Sequence, residues 1–523
     1  MREAQVEELT RPATAHSERA PKDGTGKRTE HDRIDDLRSF IAACERHGEL
    51  QRIKAEVDWN IELSHVSKVN EEQKGPALLY ENVKGYDIPV LTSAFVTPAR
   101  LAMCLEQDPS LSMCQIARKW MELTTRQHIK PQLTDDVPVR ENILTGDQID
   151  LTRFPAPWFY PEDGGRYIGT AVFLVTQDPE TGWTNLGTYR MQILDRDVCG
   201  VQIIKGKHAD FMFKQYEARG EVMPVAAVIG CDPVLFLVSS TLISAQTDEY
   251  DIASTLRQRP VPIFKSDLTG LKLPARAEII LEGYIDPKDL RPEGPFGEYT
   301  GYYSGNANEE WPKPAFKVQR ILHRNNPIFW ATTVGKPVTD THMIQSLNRT
   351  ATLWHDLETM RVPGIEGVYI PPEACGRFWA IVSLRQKYPG HSNHAGNAVI
   401  STTTGHYGVK GVITVDHDIA ADDWARVMWA LSTRFDPKRS AQIIDRGRST
   451  PLDPGLPIEA REIVSRVILD ACTPFEWTKK PVEIFMDRTV LRKVSDRWNE
   501  YGFKGASPVA EMIDRLTRPE KKK

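Results

Sequence analysis

The sequence predicts a protein of mixed α/β class (α+β mixed) with two unlike parts. Up to about Val334 the chain carries short apolar runs bounded by turn residues, a pattern typical of β-strands. From Met343 onward, helical patterns alternate with apolar runs, as they do in βαβ units. Because the chain has 523 residues, it can bury a large core and form two or three domains.

The predicted organisation has four segments. Residues 1–33 are crowded with charged residues, Thr and Pro, and we expect a disordered tail because they cannot bury enough apolar surface. Residues 34–335 form the strand-rich domain, and Gly335 is a natural break. Residues 336–455 form the α/β domain, and residues 456–523 form a linker and a C-terminal helical section.

Individual elements follow from periodicity and turn chemistry. In the first part, helices are predicted at 34–48 and 249–258, and a turn at 178–182 separates two strands in a hairpin pattern. The strands predicted in this part span residues 77–80, 89–91, 171–175, 225–230 and 234–238. The elements predicted in the second part are helices at 344–359 and 422–433 and strands at 367–370, 378–382 and 411–415.

Composition excludes several classes of protein. A net charge of -5 and a pI near 6.3 argue against an electrostatic nucleic-acid binder. No apolar stretch approaches the length that spans a bilayer, and the N-terminal residues lack the apolar centre of a secretory signal. The seven cysteines are scattered without CxxC spacing, which is typical of reduced core thiols. We therefore expect a cytoplasmic protein with no membrane and no nucleic-acid partner.

The segment between Glu293 and Glu298 carries the strongest chemical signal. It reads Glu-Gly-Pro-Phe-Gly-Glu, so two carboxylates flank a turn that Gly and Pro stiffen. Arg190 lies upstream and offers a permanent positive charge. One arginine between two carboxylates can lower the proton affinity of its closer partner and leave the other able to carry a proton. The pattern indicates an enzyme that delivers one proton.

This segment and several other short motifs, in one order and at compatible spacings over roughly residues 34–500, resemble the UbiD-type decarboxylases, in their aromatic-acid branch. The motifs are Asn185-x4-Arg190, Lys207-His208, Ser239-Ser240, Glu249-Tyr250, Glu293 to Glu298, and Gly408-Val-Lys410. The resemblance implies that residues 34–335 are a split β-barrel domain that binds prenylated FMN. It also implies that residues 336–455 are an α/β oligomerisation domain, in a homodimer or homohexamer.

The resemblance implies an activity as well. It is the reversible, non-oxidative decarboxylation of a small aromatic acid to CO2 through a covalent prenylated-FMN adduct, with a flavin prenyltransferase supplying the cofactor. The cofactor is needed because CO2 loss leaves an electron pair that the ring cannot delocalise. Protocatechuate-, hydroxybenzoate- and heteroaromatic-type acids remain open, and a cinnamate-type unsaturated acid is the alternative. The polyprenyl-hydroxybenzoate branch tends to carry Asp where this chain has Glu298, which disfavours a ubiquinone role.

Catalytic roles carry over residue by residue. Arg190 is expected to bind the substrate carboxylate and anchor the network, because its charge is permanent. Glu293 pairs with Arg190, and Glu298 passes a proton to the carbon that CO2 leaves. A carboxyl group in a dry pocket has a raised pKa and can act as a general acid near neutrality.

The resemblance also implies a metal that anchors the flavin phosphate. Its ligands would be Asn185, His208 and Glu249, a donor set that suits Mn2+ or Mg2+ better than structural zinc. Ser239 and Ser240 are placed to contact a K+ ion or the phosphate. The other residues expected to bind the cofactor are Gln192, Lys207 and Lys410, of which Lys410 would neutralise the phosphate.

The expected substrate side contains Thr339, His342 and Met343. His342 either hydrogen-bonds a phenolic hydroxyl or caps the helix that follows, and the sequence leaves both roles open.

Two other functions compete with this interpretation. A glycoside hydrolase also uses two carboxylates, but it would need aromatic sugar platforms and would give the Asn185, His208 and Glu249 set no role. The second competing function is that of a non-catalytic, oligomeric subunit that binds flavin. The presence of Arg190 together with both glutamates argues against that interpretation.

Overall fold

The structure is a computed structural model that describes residues 33–303 and 311–517. The tail predicted at residues 1–33 lies outside the described residues except for its last residue. In the described N-terminal part, four helices and three strands come first: α1 (Leu37–Arg46), β1 (Leu50–Ile53), α2 (Glu62–Glu72), β2 (Ala77–Tyr80), β3 (Val90–Thr92), α3 (Pro98–Cys104) and α4 (Met113–Thr124).

A strand-rich stretch follows. Its elements are β4 (Gln132–Leu133), β5 (Asn142–Thr145), β6 (Tyr167–Gly169), β7 (Val172–Gln177), β8 (Thr184–Gly187), β9 (Met191–Asp195), β10 (Val198–Val201), α5 (His208–Arg219), β11 (Met223–Ile229), α6 (Pro233–Ser239), α7 (Glu249–Arg257), β12 (Pro262–Lys265), β13 (Lys272–Pro274), β14 (Ile279–Glu293), β15 (Trp311–His323) and β16 (Phe329–Trp330).

The remaining elements alternate in type. They are α8 (Asp340–Thr359), β17 (Ile365–Tyr369), β18 (Trp379–Leu384), α9 (His391–Ser401), α10 (Thr403–His406), β19 (Gly411–Asp416), α11 (Trp424–Thr433), α12 (Pro437–Ser440), β20 (Ala441–Arg448), β21 (Ile463–Ala471), α13 (Arg488–Asp496) and α14 (Val509–Leu516). Short 3-10 helices occur at Pro138–Glu141, Gly146–Gln148, Leu151–Arg153, Pro372–Ala374 and Ile458–Ala460.

A nine-stranded sheet is the centre of the first part. Its order is β6-β9-β10-β15-β14-β11-β7-β8, and β5 pairs with the end of β15. Within the described residues this sheet is open and does not close into a barrel. A four-stranded sheet (β1-β2-β3-β16) and a three-stranded sheet (β13-β12-β4) flank it in the chain. The predicted mixed α/β class is confirmed.

A five-stranded sheet of order β17-β18-β19-β21-β20 forms the second part. Strand β21 pairs in parallel with β19 and antiparallel with β20. The segment from residue 456, predicted to be mostly helical, therefore begins with a strand of this sheet, and the predicted boundary at residue 455 falls between two of its strands. The physical reason is the apolar character of Ile463–Ala471, which buries Ile468 and Ala471 against the neighbouring strand.

The apolar run at residues 234–238 was predicted as a strand, and that prediction is wrong. It is helix α6, which begins at Pro233. The Asp232 carboxylate accepts a hydrogen bond from the Val234 N–H, and proline suits the first helical position because its missing N–H would be unpaired there. A run that is buried on all sides does not show which periodicity it follows.

Helix α8 joins the two parts through a shared core. Leu347 and Leu353 on α8 are fully buried in the same apolar cluster as Trp120 on α4 and Val382 on β18. Burial on this scale fixes α8 against both parts, because every fully buried side chain of this size contributes about 1.5–3 kcal/mol. None of the described helices is both long and apolar enough to cross a membrane.

Candidate active site

Arg190 lies between two glutamates in the interior. Its Nε and Nη2 donate to the two carboxylate oxygens of Glu293, each at 2.9 Å, and its Nη1 donates to Glu298. The Arg190 and Glu298 side chains are each 12% exposed and the Glu293 side chain is fully buried. The bidentate pair fixes the guanidinium plane, because both N–H groups on one side of the fork are used. The structure thus brings together the three residues predicted to be catalytic.

The sheet places these groups next to each other. Arg190 directly precedes β9, and Glu293 is the last residue of β14. Strand β10 pairs with β9, and Gly200 in β10 faces Glu293, where a Cβ atom would come within 3.1 Å of the Glu293 Cβ. Glycine at this position lets the Glu293 side chain come close to the Arg190 end of the hairpin.

The turn that carries Glu298 is held by hydrogen bonds from outside it. Gln192 accepts from the Gly294 N–H at 2.8 Å and donates to the Gly164 carbonyl at 2.8 Å. Asp163 accepts from the Gly297 N–H at 2.9 Å. Gln192 was predicted to bind the cofactor, and that role stays a prediction. In the structure both polar atoms of its amide hold the turn.

Burial shapes the electrostatics of this network. Burial raises the pKa of the Glu298 carboxyl above its usual range; Arg190 opposes the effect and Glu293 adds to it. Burial alone would lower the pKa of Arg190, but the charges of Glu298 and Glu293 outweigh it and raise that pKa. A permanently charged guanidinium therefore faces one carboxyl group that holds its proton more readily than an ordinary glutamate.

The predicted metal ligands also lie together. The Asn185 Oδ1 is 3.1 Å from the His208 Nδ1, and the Glu249 carboxylate accepts from the N–H of Leu186, the next residue after Asn185. Asn185 ends up here because β8 pairs with β7, while His208 and Glu249 begin helices α5 and α7. Burial, followed by the charge of Lys207, lowers the pKa of His208, which favours the neutral imidazole that binds metals.

The donor chemistry fits a divalent cation. Glu249 is 2% exposed, and within the described residues its carboxylate has no ion pair with a cationic side chain. Burial raises the pKa of Glu249 to about 8. A bound cation would remove the cost of ionising it there. No cluster of three or more His, Cys, Asp and Glu side chains occurs in the described part of the chain, so the site depends on the Asn185 amide oxygen.

Ser239 and Ser240 lie at the C-terminal end of α6. The Thr188 hydroxyl is 3.1 Å from the Ser239 hydroxyl and 2.8 Å from the Ser240 hydroxyl, and the Thr188 N–H donates to the Ser239 carbonyl at 3.3 Å. Because Thr188 lies two residues before Arg190, these hydroxyls connect the predicted ion site to the glutamate network. Thr188 was not among the site residues predicted from the sequence.

The two predicted lysines have different surroundings. The Lys410 ammonium pairs with the buried Asp453 carboxylate at 2.9 Å and lies 4.5 Å from the Phe378 ring centroid. Its predicted contact with phosphate stays a prediction. Lys207 is accessible to solvent and lies 5.8 Å from the Tyr189 ring centroid, and it has no ion pair within the described residues.

His342 caps α8, the second of its two predicted roles. Its Nδ1 accepts from the Thr339 N–H at 3.0 Å, and its Nε2 lies 2.5 Å from the Tyr299 carbonyl. Burial lowers the pKa of His342 to about 4, so the ring is neutral. Both ring nitrogens are thus bonded within the protein. Met343 is buried next to it in the core.

Domain families identify the chain. The N-terminal, Rift-related and C-terminal domains of 3-octaprenyl-4-hydroxybenzoate carboxy-lyase, the UbiD domains, match residues 41–120, 132–337 and 342–471. The chain belongs to the UbiD family. The prediction that it is a carboxy-lyase is confirmed.

Solved structures of UbiD-class enzymes share this fold. HmfF of Pelotomaculum thermopropionicum, determined with FMN, is 28% identical, with a TM-score of 0.78 over 86% of this chain and 97% of that chain. An evolved dimeric form of HmfF with prenylated FMN is also 28% identical, with a TM-score of 0.74 over the same shares. The open form of vanillic acid decarboxylase from Sedimentibacter hydroxybenzoicus is 28% identical, with a TM-score of 0.80 over 92% of this chain and 98% of that chain.

Sequence reasoning missed three further residues of this UbiD chain. Tyr299 follows Glu298, and its ring lies 5.5 Å from the guanidinium carbon of Arg377. Arg349 is buried on α8 and lies close enough to Arg377 for the two charges to repel. The available signal was Arg349 itself, a charged residue at helical spacing from the buried Ser346 and Leu353.

Proposed function

We propose that this enzyme catalyses the reversible decarboxylation of a small aromatic acid with prenylated FMN as its cofactor. The observation that carries the proposal is the buried pairing of Arg190 with both Glu293 and Glu298. Two similar enzymes support the choice of cofactor and substrate class, because one binds FMN or prenylated FMN and the other acts on vanillic acid.

Arg190 would hold the substrate carboxylate next to the glutamates. Its guanidinium carbon lies 5.1 Å from the Phe296 ring centroid, so an aromatic face lies beside the charge. When bound, prenylated FMN supplies the electron sink that the ring of an aromatic acid lacks. Because Glu293 uses the Nε and Nη2 of Arg190, the substrate carboxylate would bind at the Nη1 side, next to Glu298.

Glu298 is the proton donor in this proposal. Its raised pKa keeps the carboxyl group protonated over a wider pH range than an ordinary glutamate. Glu293 is fully buried and bidentate on Arg190, so it holds the arginine in place rather than exchanging protons. In the carboxylation direction Glu298 would take the proton back from the ring carbon.

Asn185, His208 and Glu249 would hold Mn2+ or Mg2+ at the phosphate end of the flavin. Ser239 and Ser240, bonded to Thr188, would contact K+ or the phosphate. This places the ion site and Arg190 on one continuous stretch of chain, so metal binding would fix the hairpin that carries the arginine.

For the substrate we propose a hydroxybenzoate-, protocatechuate- or heteroaromatic-type acid, with a cinnamate-type acid as the alternative. Because both nitrogens of His342 are bonded within the protein, recognition of a phenol would fall to other groups.

We also propose that the enzyme is a cytoplasmic homodimer or homohexamer and takes its cofactor from a flavin prenyltransferase. All seven cysteines are free thiols, as in a reducing compartment. Exposed apolar side chains in the second part support assembly, since Ile443, Val482 and Ile484 are 75%, 84% and 96% exposed.

The test is to co-express the chain with a flavin prenyltransferase, record its absorption spectrum, and measure CO2 release from a panel of aromatic acids. We expect a flavin spectrum and CO2 from at least one acid. Glu298→Gln should keep the flavin and release no CO2. A loaded protein that turns over none of these acids would contradict the proposal and favour a non-catalytic flavin-binding subunit.

A further inference from the structure

A second group of positive charges lies beside the glutamate network. It consists of Arg349 on α8 and Arg377 before β18, and we call it the cationic cluster. The Arg377 guanidinium carbon lies 5.5 Å from the Tyr299 ring centroid and 5.2 Å from the Tyr407 ring centroid. Tyr299 is the residue after Glu298. The cluster therefore lies in the second part of the chain and meets the glutamate network of the first part at Tyr299.

No carboxylate neutralises this cluster within the described residues. Arg349 has no side-chain hydrogen bond or ion pair there, and its Nη1 is buried without a partner. The Arg377 Nε is also buried and unpartnered, and its Nη2 reaches only the Gln345 Oε1 at 3.4 Å. The Tyr299 hydroxyl beside them is buried without a partner as well. These unpartnered atoms are all potential donors, which is the set that an oxyanion requires.

Other buried arginines of the chain have hydrogen-bond acceptors: Arg466 donates to the backbone carbonyls of His406 and Arg448. Arg257 pairs with Asp232, and Arg320 pairs with Glu282 at 2.7 Å. Arg349 is only 6% exposed and lies near the like charge of Arg377. Burial, followed by that charge, lowers the pKa of Arg349 to about 9. A buried unpaired charge costs free energy, so its retention needs a ligand that restores the balance.

The backbone around Arg377 also leaves room for its side chain. Gly408 has a φ of +98°, and a Cβ at this position would lie 2.8 Å from the Arg377 Cδ. Glycine there allows the guanidinium to lie between the rings of Tyr299 and Tyr407. The arginine is held in place by these two rings, and its polar edge remains free to bind a ligand.

We propose that Arg349 and Arg377 form an oxyanion subsite for a second acidic group on the substrate ring, separate from the carboxylate that Arg190 holds. The inference rests on the proposed function and makes the preferred substrate an aromatic acid with two anionic groups. The flavin phosphate has the same oxyanion chemistry. The cluster is assigned to the substrate because it lies against Tyr299 and the Glu298 turn, whereas the proposed phosphate site lies at Asn185 and Glu249.

The first arm of the test measures binding by titration calorimetry on the protein loaded with FMN, which fills the flavin site. The probes are benzene-1,3-dicarboxylate and benzoate, which differ by one carboxylate. Wild type should bind the dicarboxylate on the order of 10- to 100-fold more tightly, as expected for charged hydrogen bonds. Arg349→Met and Arg377→Met should each bring the two affinities close together. Arg361→Met, at an exposed arginine just after α8, is the matched control and should keep the preference.

The second arm measures FMN retention by the same variants. If Arg349→Met and Arg377→Met keep FMN and lose the dicarboxylate preference, the substrate assignment holds. If they lose FMN, the cluster binds the flavin phosphate and the substrate assignment is wrong. Equal dicarboxylate preference in wild type and both variants would also overturn it. Two variants at separate elements keep the test decisive even if one does not fold.

These outcomes are separable from failure of the proposed function. If the enzyme loaded with prenylated FMN turns over no acid while the FMN-bound protein prefers the dicarboxylate, the decarboxylase proposal is refuted and the subsite is kept. If the enzyme decarboxylates monocarboxylates and shows no preference for the dicarboxylate, the decarboxylase proposal holds and the subsite is refuted.

Discussion

The chain contains two groups of buried arginine with opposite surroundings. Arg190 has two carboxylates and a bidentate hydrogen bond, whereas Arg349 has no anionic partner among the described residues and lies near Arg377. The two groups are connected through adjacent residues, Glu298 and Tyr299.

This difference separates two uses of the same side chain. The positive charge of Arg190 is balanced inside the protein, so it can orient carboxylates and hold a substrate without a large cost in stability. The charge of Arg349 is not balanced, so burial and the charge of Arg377 lower its pKa. Binding of an anion would stabilise the charged guanidinium. An arginine whose charge is neutralised by carboxylates of the protein thus suits a permanent network. An arginine without such a partner suits a site for an anionic ligand.

The largest expected effect comes from Arg190→Met. Removing the arginine takes the hydrogen-bonded cation away from two buried carboxylates, which should destabilise the protein by about 3–5 kcal/mol and abolish CO2 release. Urea unfolding and CO2 release measure the two effects, with Arg361→Met as the control. If the unfolding midpoint of Arg190→Met matches that of wild type, Arg190 does not neutralise the buried carboxylates of Glu293 and Glu298.

The second prediction concerns the phosphate end. Asn185→Ala or His208→Ala should lose Mn2+ and flavin together, because the Asn185 amide oxygen and the His208 imidazole would hold the ion that anchors the phosphate. Metal analysis and the absorption spectrum of the purified variants check this. Full flavin retention would mean that the phosphate is held elsewhere, and the cationic cluster would become the candidate.

The third prediction is a pH dependence. Since burial raises the pKa of Glu298, the protonated donor persists above the usual glutamate range and is lost as pH rises through the raised value. Turnover should therefore fall toward high pH, by about tenfold for each pH unit beyond that pKa. The pH profile of kcat tests this, with Glu298→Asp as the comparison. An unchanged alkaline limb in that variant would assign the limb to another group.

The smallest expected effect sharpens the comparison most. Arg349→Met should stabilise the protein without ligand by on the order of 1 kcal/mol, because it removes an unbalanced buried charge. Arg190→Met should have the opposite sign. Urea unfolding of the two variants in parallel gives the measurement, and a shift of the same sign in both would remove the distinction between the two groups.

Short-range chemistry explains which features the sequence could predict. Glu293 and Glu298 flank a turn rich in Gly and Pro, so their separation is set locally, and Arg190 belongs to a motif that carries over. The strand that proved to be α6 has a continuous apolar run without periodicity, and a cap at Asp232 decided its type. The segment that contains β21 was predicted to be mostly helical. The strand could not be predicted from local pattern because β21 forms by pairing with β19 and β20.

The cationic cluster lay beyond the reach of sequence reasoning for a different reason. Arg349 and Arg377 lie on a helix and on the loop before a strand, and only the tertiary fold brings both to Tyr299. The same holds for Gln192, whose amide is used by backbone groups on two separate segments.

The most direct measurement of the central claim is hydrogen exchange in D2O at the ring carbon of the decarboxylated product. The enzyme loaded with cofactor should incorporate deuterium at that carbon, because Glu298 returns its proton in both directions. Glu298→Gln, with an unchanged flavin spectrum, should incorporate none. Exchange at the wild-type rate in this variant would show that another group carries the proton and that the Arg190 network has a different task.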